Sequence, residues 1–286
     1  MDCPRITVVT PSLNQGRFLE QTILSVIGQH YPNLEYIILD GGSTDDSVQI
    51  IRKYEKHLAW WASEKDGGQA AAINKGFERA TGDILAWLNS DDMYLPGALA
   101  HVAGRLDPQR PELLFGNCLH FVENSHVAYG SNARLEHEQR DLRLADYIKQ
   151  PSAFWTRKTW LQTGKLDETL EFGFDWEWFL RGQKGNVTFL PDDNYLSVYR
   201  IHKDHKTGTG GERRRKELAS IYGRHAGIRY QRAYARFCSS RPRIILEKAL
   251  KLIRLTRFMP ALLKLLFPRL LYGVKTNAVR DLITML

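Results

Sequence analysis

The first 90 residues alternate short apolar runs with segments whose apolar residues recur at helical spacing. Residues 6–10 are all β-branched and are followed by Pro11, which predicts a buried strand. Apolar residues between Phe18 and Ile27 recur every three or four positions, which predicts a helix over 16–29. Similar patterns predict strands at 36–39, 59–62 and 84–88, and helices at 45–56 and 67–80. Strands that alternate with helices in this way indicate βαβ units and a mostly parallel, doubly wound sheet.

The second half of the chain has a more mixed pattern. Its apolar runs predict strands at 113–116, 118–121, 187–190 and 196–199, with a hairpin that reaches 127–129. Helices are predicted at 157–164 and 174–181. From about residue 212 the chain is predicted to be helical to its end, with breaks at Pro242, Pro260 and Pro268. The predicted fold class is therefore α/β, with a C-terminal helical extension.

Composition and cysteine usage narrow the class of protein. The 286 residues are 43% hydrophobic and 25% charged, which is typical of a globular protein and excludes a wholly disordered or fibrous one. The three cysteines lie far apart, so neither a disulfide framework nor a cysteine metal site is predicted, and a cytoplasmic location is favoured. No run of about 18 uncharged apolar residues occurs and no cleavage-site pattern follows the N-terminus, so neither a transmembrane helix nor a signal peptide is expected.

Positive charge is concentrated at the C-terminal end of the chain. The net charge is +8, and residues 241–286 contain ten Lys and Arg but only two acids. The rest of the chain is therefore balanced, which argues against a nucleic-acid-binding protein. Leucines are interleaved with these cations, a pattern typical of amphipathic helices on anionic membrane surfaces. Packing within the protein and an oligomer interface are the alternatives, and the sequence leaves the oligomeric state open.

Acidic side chains follow three of the four predicted strands of the first half. Ligands of doubly wound sheets bind beyond the carboxyl ends of the strands. Asp40 can accept a hydrogen bond from a base or a ribose hydroxyl, and Asp66 precedes a glycine-rich helix start. Asp91 and Asp92 are adjacent carboxylates, whose mutual repulsion a divalent cation such as Mg²⁺ or Mn²⁺ would relieve. The alternative interpretation of each segment is a solvated turn with a helix cap.

Four segments, in this order and at these spacings, resemble the family 2 glycosyltransferases. They are Val9–Asn14, Asp40–Asp45, Asp66–Gly76 and Trp87–Asp92, and the similarity extends to Gln150–Phe154, Phe174–Arg181 and Tyr199–His202. The resemblance covers about residues 5–205. It implies the Rossmann-like GT-A fold in a catalytic domain at 1–211, with a nucleotide-sugar half at about 1–110 and an acceptor half at about 111–211. Residues 212–286 then form a basic helical region.

By this resemblance, the protein transfers a sugar with inversion from a nucleoside-diphosphate donor, a UDP-sugar by the family's usual preference. The acceptor is a glycan or a lipid-linked glycan, as in the synthesis of bacterial surface polysaccharide or glycolipid. The resemblance also implies that Thr10, Pro11 and Asp40 line the pocket for the base. Asp66 is expected to contact the base or the ribose.

The segment that binds metal in this family departs from the usual Asp-x-Asp pattern. Asn89 occupies the position of the first acid, where it can hydrogen-bond to a ribose hydroxyl but brings no charge. Asp91 and Asp92 are therefore the expected ligands of Mn²⁺ or Mg²⁺. His202 is a candidate third ligand or a contact to the diphosphate, and a histidine of a surface loop is the alternative.

The acceptor side must supply a base that takes a proton from the attacking hydroxyl. Asp175 matches the position where family members place this base, although Phe174 replaces the acid that usually precedes it. Glu177 ranks second. Trp176 flanks the proposed base and is a candidate for shaping the acceptor site, and Gln150, in a segment that resembles the family, is a further acceptor-side candidate.

Two other functions compete with this hypothesis. A nucleotidyltransferase would need a glycine-rich phosphate loop with a basic residue near the N-terminus, which residues 12–16 do not supply. A non-catalytic module that binds sugar nucleotides or membranes is the second alternative. The presence of Asp175 together with Asp91 and Asp92 favours an enzyme.

Overall fold

The computed structural model describes residues 3–203, 205, 206, 210–239, 259–271, 279, 281 and 285. The chain divides into two compact units. The first comprises Met1–Arg134 and Ile148–His205, and the second comprises Leu135–Tyr147 and Lys206–Leu286. Residues 135–147, which the sequence analysis included in the acceptor half, thus group with the C-terminal helices. The functional boundary at residue 211 stays a prediction.

The first unit is built on one nine-stranded sheet. Its strands are β1 (Ile6–Ser12), β2 (Leu34–Asp40), β3 (Trp60–Ser63), β4 (Ile84–Trp87), β5 (Met93–Tyr94), β6 (Glu112–Val122), β7 (Ala128–Gly130), β8 (Ala153–Thr156) and β9 (Thr188–Ile201). The spatial order is β3-β2-β1-β4-β8-β6-β9-β5, and β7 pairs with β6. The helices up to residue 184 are α1 (Gly16–Ile27), α2 (Ser47–Lys53), α3 (Gln69–Arg79), α4 (Ala98–Ala103), α5 (Ala133–Gln139), α6 (Arg157–Thr163) and α7 (Phe174–Lys184).

The βαβ pattern predicted for the first half is confirmed. β1 pairs in parallel with β2 and β4, and β2 pairs in parallel with β3, so the carboxyl ends of the four strands lie along one edge. Helix α3 lies close against this part of the sheet because Gly76 has no side chain. A Cβ atom at Gly76 would lie 2.5 Å from Val9 Cγ1 and 3.0 Å from Leu39 Cδ2. The loops that carry the candidate residues therefore extend from a tightly packed sheet.

The other half of the sheet combines parallel and antiparallel pairs, in the part of the chain whose sequence pattern is more mixed. β8 is antiparallel to β4 and β6, β9 is parallel to β6, and β5 is antiparallel to β9. Four predicted strands merge into two long ones, β6 and β9. Gly116 and Pro191, which look like breaks in the sequence, lie at or beside irregularities in the register of the β6–β9 pair. The chain stays extended there because a bulge absorbs the irregularity.

The second unit is helical in its described C-terminal part. Its helices there are α8 (Gly211–His225), α9 (Ile228–Ser239), α10 (Met259–Leu266) and α11 (Pro268–Leu271). The Tyr222 and Tyr234 rings of α8 and α9 lie 5.0 Å apart, and the Tyr222 hydroxyl donates to Leu144 O at 2.8 Å. The Phe237 and Phe267 rings meet edge to face at 5.4 Å. These contacts give the unit an aromatic core of its own.

The predicted break at Pro268 is present, because α10 ends at Leu266 and α11 begins at Pro268. Pro260 is the second residue of α10 and Pro268 the first of α11, positions where the missing backbone N–H has no helical partner to lose. The predicted break at Pro242 and most of the basic segment 241–286 lie outside the described residues. Within the described part of the chain, no helix has the length and apolar character needed to cross a bilayer.

Candidate active site

Asp40 ends β2, and its carboxylate organises the loop that follows. The side chain is buried and accepts hydrogen bonds from Ser43 N at 2.9 Å, Ser43 Oγ at 2.5 Å and Ser63 Oγ at 2.7 Å. Ser63 is the last residue of β3, so Asp40 joins the ends of two neighbouring strands. A glycine at position 41 lets Asp66 approach, because a Cβ there would lie 3.0 Å from Asp66 Oδ2. The structure thus brings two predicted nucleotide contacts, Asp40 and Asp66, to adjacent loops.

The loops after β1 and β2 are joined by side chains that the sequence analysis did not assign. Asn14 adopts a left-handed backbone conformation with φ 52°, and its side-chain oxygen accepts from Thr44 N at 2.8 Å. Asp45 Oδ2 accepts from Gly16 N at 2.9 Å, at the start of α1. Burial would raise the pKa of Asp45, but hydrogen bonds from Ser47 and Gly16 hold it below its usual value. Both Asn14 and Asp45 lie in the segments that carry the family resemblance. That position was the feature of the sequence that could have identified them.

Thr10 and Pro11, predicted to line the base pocket, are both buried in β1. Thr10 is fully buried and its hydroxyl lies 3.1 Å from the hydroxyl of Tyr36, with which it shares a hydrogen bond. Its side chain therefore lies in the core, on the same face of the strand as Val8, rather than facing a ligand. A contact of this residue with a base would have to use the main chain.

Asn89 lies at the centre of a set of amide contacts beyond the end of β4. Its side-chain oxygen accepts from Gln69 Nε2 at 2.8 Å, and its Nδ2 donates to Asp92 Oδ2 and Gln150 Oε1, each at 3.4 Å. Gln150 in turn donates to Trp87 O at 2.8 Å. The structure therefore brings Gln150 beside Asn89, and it adds Gln69, which the sequence analysis did not single out.

Asp91 and His202 face each other. Asp91 Oδ2 lies 3.0 Å from His202 Nε2, and the two side chains are 21% and 1% exposed. The His202 ring also packs against Phe18 at 4.6 Å between centroids. The buried Nδ1 atom of His202 finds no hydrogen-bond partner among the described residues. A carboxylate oxygen and an imidazole nitrogen thus converge beside the loop that follows β4.

Asp92 is buried, and its Oδ2 atom accepts from Asn89 Nδ2. It is 1% exposed, and its Oδ1 atom accepts from the backbone N–H of Arg200 at 3.1 Å. Burial, followed by the charge of Asp91, raises the pKa of Asp92 well above its usual value. This placement differs from the expectation that both acids face a cation.

Arg200 secures this loop and was missed as an individual site residue. Its Nε donates to Asp91 O at 3.0 Å and its Nη2 to Gln21 Oε1 at 2.5 Å, while the guanidinium lies 4.9 Å from the centre of the Phe18 ring. Arg200 and His202 are two positions apart, a spacing that puts both side chains on one face of an extended strand. That spacing was the feature of the sequence that could have identified Arg200.

Helix α7 carries the predicted base in its first turn. Asp175 is half-buried, and its Oδ1 accepts from Trp176 N at 2.8 Å. The ring of Phe174 lies 6.2 Å from that of Trp87, which ends β4, so α7 starts near the carboxyl end of that strand. The positive end of the helix dipole favours the ionised form of a carboxylate at this position.

The other two candidates on α7 do not face solvent. Trp176 is fully buried, and Glu177 is buried and bound to Arg181, with its two carboxylate oxygens 3.1 and 2.9 Å from Arg181 Nε. Trp178 is also buried and packs on Trp155 at 4.8 Å. These residues stabilise α7, which differs from the acceptor-side roles expected for Trp176 and Glu177.

The arrangement of Asp91 and His202 suits a divalent cation that is shared with a ligand. Within the described ranges, no group of three or more His, Cys, Asp or Glu side chains could enclose a metal on its own. Mg²⁺ in phosphate-binding sites is usually held by one or two protein groups, with phosphate oxygens and waters as the remaining ligands. Mn²⁺ also accepts imidazole nitrogen beside oxygen. The two residues therefore fit a cation that binds together with a diphosphate.

Residues 7–163 match the model of Glycosyl transferase family 2. The match covers more than half of the chain and includes the strands β1–β4 and the loops that follow them. The chain belongs to this family.

Two relatives illustrate how far the similarity reaches. An uncharacterized glycosyltransferase of Rickettsia typhi is 26% identical over 221 residues, which cover 72% of this chain and 67% of that protein. A Bacillus subtilis protein assigned to teichuronic acid biosynthesis, the glycosyltransferase TuaG, is 41% identical over 96 residues. That alignment covers 32% of this chain and 37% of TuaG.

Two solved structures share the fold. Staphylococcus aureus TarS 1–349 in complex with UDP-GlcNAc superposes with a TM-score of 0.62 at 16% identity, over 98% of this chain and 90% of that one. The mannosyltransferase PcManGT from Pyrobaculum calidifontis, in complex with GDP-Man and Mn²⁺, superposes with a TM-score of 0.61 at 19% identity. The match covers 99% of this chain and 86% of that one. The predicted GT-A fold, with helices after the catalytic sheet, is confirmed.

Proposed function

We propose that this protein is an inverting glycosyltransferase that moves a sugar from a nucleoside-diphosphate donor to a hydroxyl group of an acceptor. The observation that carries the proposal is the convergence of Asn89, Asp91, Gln150 and His202 beyond the carboxyl end of β4. The complexes of TarS with UDP-GlcNAc and of PcManGT with GDP-Man support a sugar-nucleotide donor. We favour a UDP-sugar, as the family resemblance implies.

The donor's nucleoside is assigned to the loops after β1, β2 and β3. In this proposal Asp40 and Asp66 hold the base and the ribose. The main chain at Thr10 and Pro11 borders the base. Asn89 accepts a hydrogen bond from a ribose hydroxyl. The hydrogen bonds among these loops fix them before the ligand arrives, which lowers the entropic cost of binding.

Asp91 and His202 would hold Mn²⁺ or Mg²⁺ beside the diphosphate. When bound there, the cation would neutralise the negative charge that develops on the leaving nucleoside diphosphate. Asp92 has a positioning role in this proposal, in place of the ligand role expected from the sequence, because its Oδ1 atom is bound to the backbone of Arg200.

Asp175 is the proposed general base. It takes the proton of the acceptor hydroxyl as that oxygen forms a bond to the anomeric carbon and the bond from that carbon to the diphosphate oxygen breaks on the opposite face. One displacement of this kind inverts the configuration and needs no covalent enzyme intermediate. Glu177 is a poor alternative because its carboxylate is buried against Arg181.

The acceptor is proposed to be a growing surface glycan or a lipid-linked glycan. The assignment of TuaG to teichuronic acid biosynthesis, given by its name, supports an acceptor of this class. Residues 206–286 contain nineteen Lys and Arg against four Asp and Glu, so charge favours contact between this region and an anionic bilayer. We propose a cytoplasmic protein that is peripheral on the inner face of the plasma membrane.

A panel of UDP- and GDP-sugars tests the proposal. Each donor is supplied with Mn²⁺, Mg²⁺ or chelator, and the release of nucleoside diphosphate is measured. The wild-type protein should release it from one donor, faster with an acceptor mixture. In Asp175→Asn the transfer rate should fall by a factor on the order of 10²–10⁴, and the variant should still bind the donor. Asp193→Asn, which alters an exposed carboxylate paired with Arg134, is the control and should keep full activity. No release from any donor would favour a non-catalytic binding module, and pyrophosphate release from a nucleoside triphosphate and a sugar phosphate would favour a nucleotidyltransferase.

A further inference from the structure

Three aromatic side chains form a cluster outside the donor site, which comprises the residues assigned above to the nucleoside and the diphosphate. His120 of β6 is the cross-strand partner of Tyr129 in β7 on one side and of Tyr199 in β9 on the other. The rings of His120 and Tyr129 are stacked, with centroids 4.6 Å apart and planes within 3° of each other. The Tyr199 ring lies 5.6 Å from His120 at an angle of 53°. The three rings therefore line one face of the sheet side by side.

The outer ring of this cluster is exposed and the inner one is buried. Tyr129 is 51% exposed, whereas His120 is 9% exposed and its Nδ1 atom has no hydrogen-bond partner among the described residues. Burial lowers the pKa of His120, and the positive charge of Lys149 lowers it further. Tyr129 thus presents a flat ring that stacks on His120 with one face and is half exposed.

The cluster lies on the same face of the sheet as the turn that carries Gln150. Ser197 and Tyr199 are two positions apart in β9 and so point to the same side. The hydroxyl of Ser197 is hydrogen-bonded to that of Ser152 at 2.6 Å, in the 3₁₀ turn Gln150–Ser152. Gln150 at the start of that turn contacts Asn89 of the donor site. Strand β9, which carries Tyr199 of the cluster, and Asn89 of the donor site therefore contact the same short turn.

We propose that His120, Tyr129 and Tyr199 form an acceptor subsite that binds a pyranose ring of the acceptor glycan, which stacks on the exposed face of Tyr129. The inference rests on the proposed function, because it assigns the acceptor side of that reaction. A pyranose has a flat face of C–H groups that matches an aromatic ring, and its hydroxyl groups stay at the rim, where the Tyr129 hydroxyl can bond to them. An acyclic polyol has no such flat face. The subsite thus selects cyclic over open-chain acceptors.

Saturation-transfer NMR on the full-length protein tests this directly, without donor. The probes are the methyl pyranosides of glucose, galactose and N-acetylglucosamine, with ribitol as the open-chain comparison. At least one pyranoside should receive saturation at its ring C–H protons, and ribitol should receive little. Tyr129→Ala should reduce the pyranoside signal at least fivefold, and Tyr129→Phe should keep most of it. Val127→Ala, a truncation of another exposed apolar residue in the same hairpin, is the matched control and should keep it too.

Donor hydrolysis separates a failure of this subsite from a failure of the proposed function. Release of nucleoside diphosphate with water as acceptor should be the same in Tyr129→Ala as in the wild type, because the donor site is untouched. Transfer to the preferred acceptor should fall through a higher KM for that acceptor. A wild-type protein that binds no pyranoside, or a Tyr129→Ala variant that binds pyranosides as well as the wild type, would overturn the subsite even if donor hydrolysis is seen. An equal loss in Val127→Ala would overturn it as well, since the effect would then belong to the hairpin as a whole.

Discussion

Asp91 and His202 lie 111 positions apart in the sequence, yet their side chains approach to 3.0 Å. The approach depends on the mixed half of the sheet. β9 runs parallel to β6 and ends at Ile201, so His202 emerges at the same edge as the loop after β4. Phe18 of α1 packs on the imidazole ring and holds it in this orientation. The metal site proposed here therefore needs elements from both halves of the sheet.

The first prediction concerns this pair. Asp91→Asn and His202→Ala should each weaken the Mn²⁺-dependent binding of UDP at least tenfold, because each removes one of two proposed ligands of the cation. Isothermal titration with Mn²⁺ and with excess chelator measures the effect, and both variants should match the wild type in chelator. His101→Ala is the matched control, since His101 also lies 3.0 Å from a carboxylate, that of Asp192. UDP affinity that does not depend on metal in the wild type would contradict the prediction.

The second prediction concerns Arg200 as a positioning residue. Arg200→Met should lower kcat/KM about tenfold or more, because Asp91 O and Gln21 Oε1 lose hydrogen bonds from a charged donor, and a hydrogen bond to a charged group usually contributes about 1.5–3 kcal/mol. The KM for the donor should rise more than kcat falls, since the loop that holds the donor loses its support.

Arg17→Met provides the comparison for Arg200→Met. Arg17 also lies over the Phe18 ring, at 5.0 Å, but its guanidinium is bound to Glu123 and not to the loop after β4. Kinetics of nucleoside diphosphate release at several donor concentrations should therefore show little change in Arg17→Met. Equal losses in the two variants would attribute the effect to Phe18 packing.

Local patterns were enough to predict the parallel half of the sheet. Each βαβ unit there is short, and its strands and helices have periodicities that a single stretch of sequence displays. The same patterns split β6 and β9 into shorter strands, because Gly116 and Pro191 disfavour a regular strand. The pairing of β6 with β9 keeps the chain extended at those positions, and pairing partners are not visible in a local pattern.

The direction of individual side chains was the harder part of the site. Asp91 and Asp92 look equivalent in the sequence, but one faces His202 and the other is buried against the backbone of Arg200. The position of Thr10 could have been inferred, since it shares a strand face with Val8, which lies in the core. The paired state of Glu177 follows from the i, i+4 spacing to Arg181 on a helix.

The third prediction concerns membrane contact of the basic C-terminal region. The full-length protein should float with anionic vesicles at low salt and not with neutral ones, because each cation near anionic lipid contributes roughly 1 kcal/mol. Replacing Lys248, Lys251 and Arg254 with Glu should abolish flotation at about 0.15 M salt. The same change at Lys56, Lys158 and Lys184, exposed cations of the first unit, is the control. Equal flotation with neutral vesicles, or equal flotation of the variant changed at Lys248, Lys251 and Arg254, would favour packing or oligomer contacts for this region.

The fourth prediction concerns the pH dependence of stability through Glu35, a buried acid of β2. Burial would raise its pKa, but hydrogen bonds from Thr7 Oγ1 at 2.5 Å and from Thr81 N and Thr81 Oγ1, both at 2.7 Å, together with Arg5, hold the pKa below its usual value. A carboxylate whose pKa is lower in the folded state stabilises the protein above the pKa of the unfolded chain, about 4.3. That contribution is lost as the pH falls through the folded-state pKa.

Glu35→Gln should therefore lower the free energy of unfolding by about 1.5–3 kcal/mol at pH 7, the usual value of a hydrogen bond to a charged group. The difference between variant and wild type should narrow steadily below about pH 4.3, because Glu35 of the unfolded chain binds a proton there while the folded carboxylate stays ionised down to its lower pKa. Urea denaturation at a series of pH values between 7 and the acid limit of the folded protein measures both effects. Glu78→Gln, at an exposed acid paired with Lys165, should change stability by less than about 1 kcal/mol, as is usual for surface ion pairs. A Glu35→Gln deficit that stays constant with pH would mean that shape rather than charge at this position stabilises the sheet.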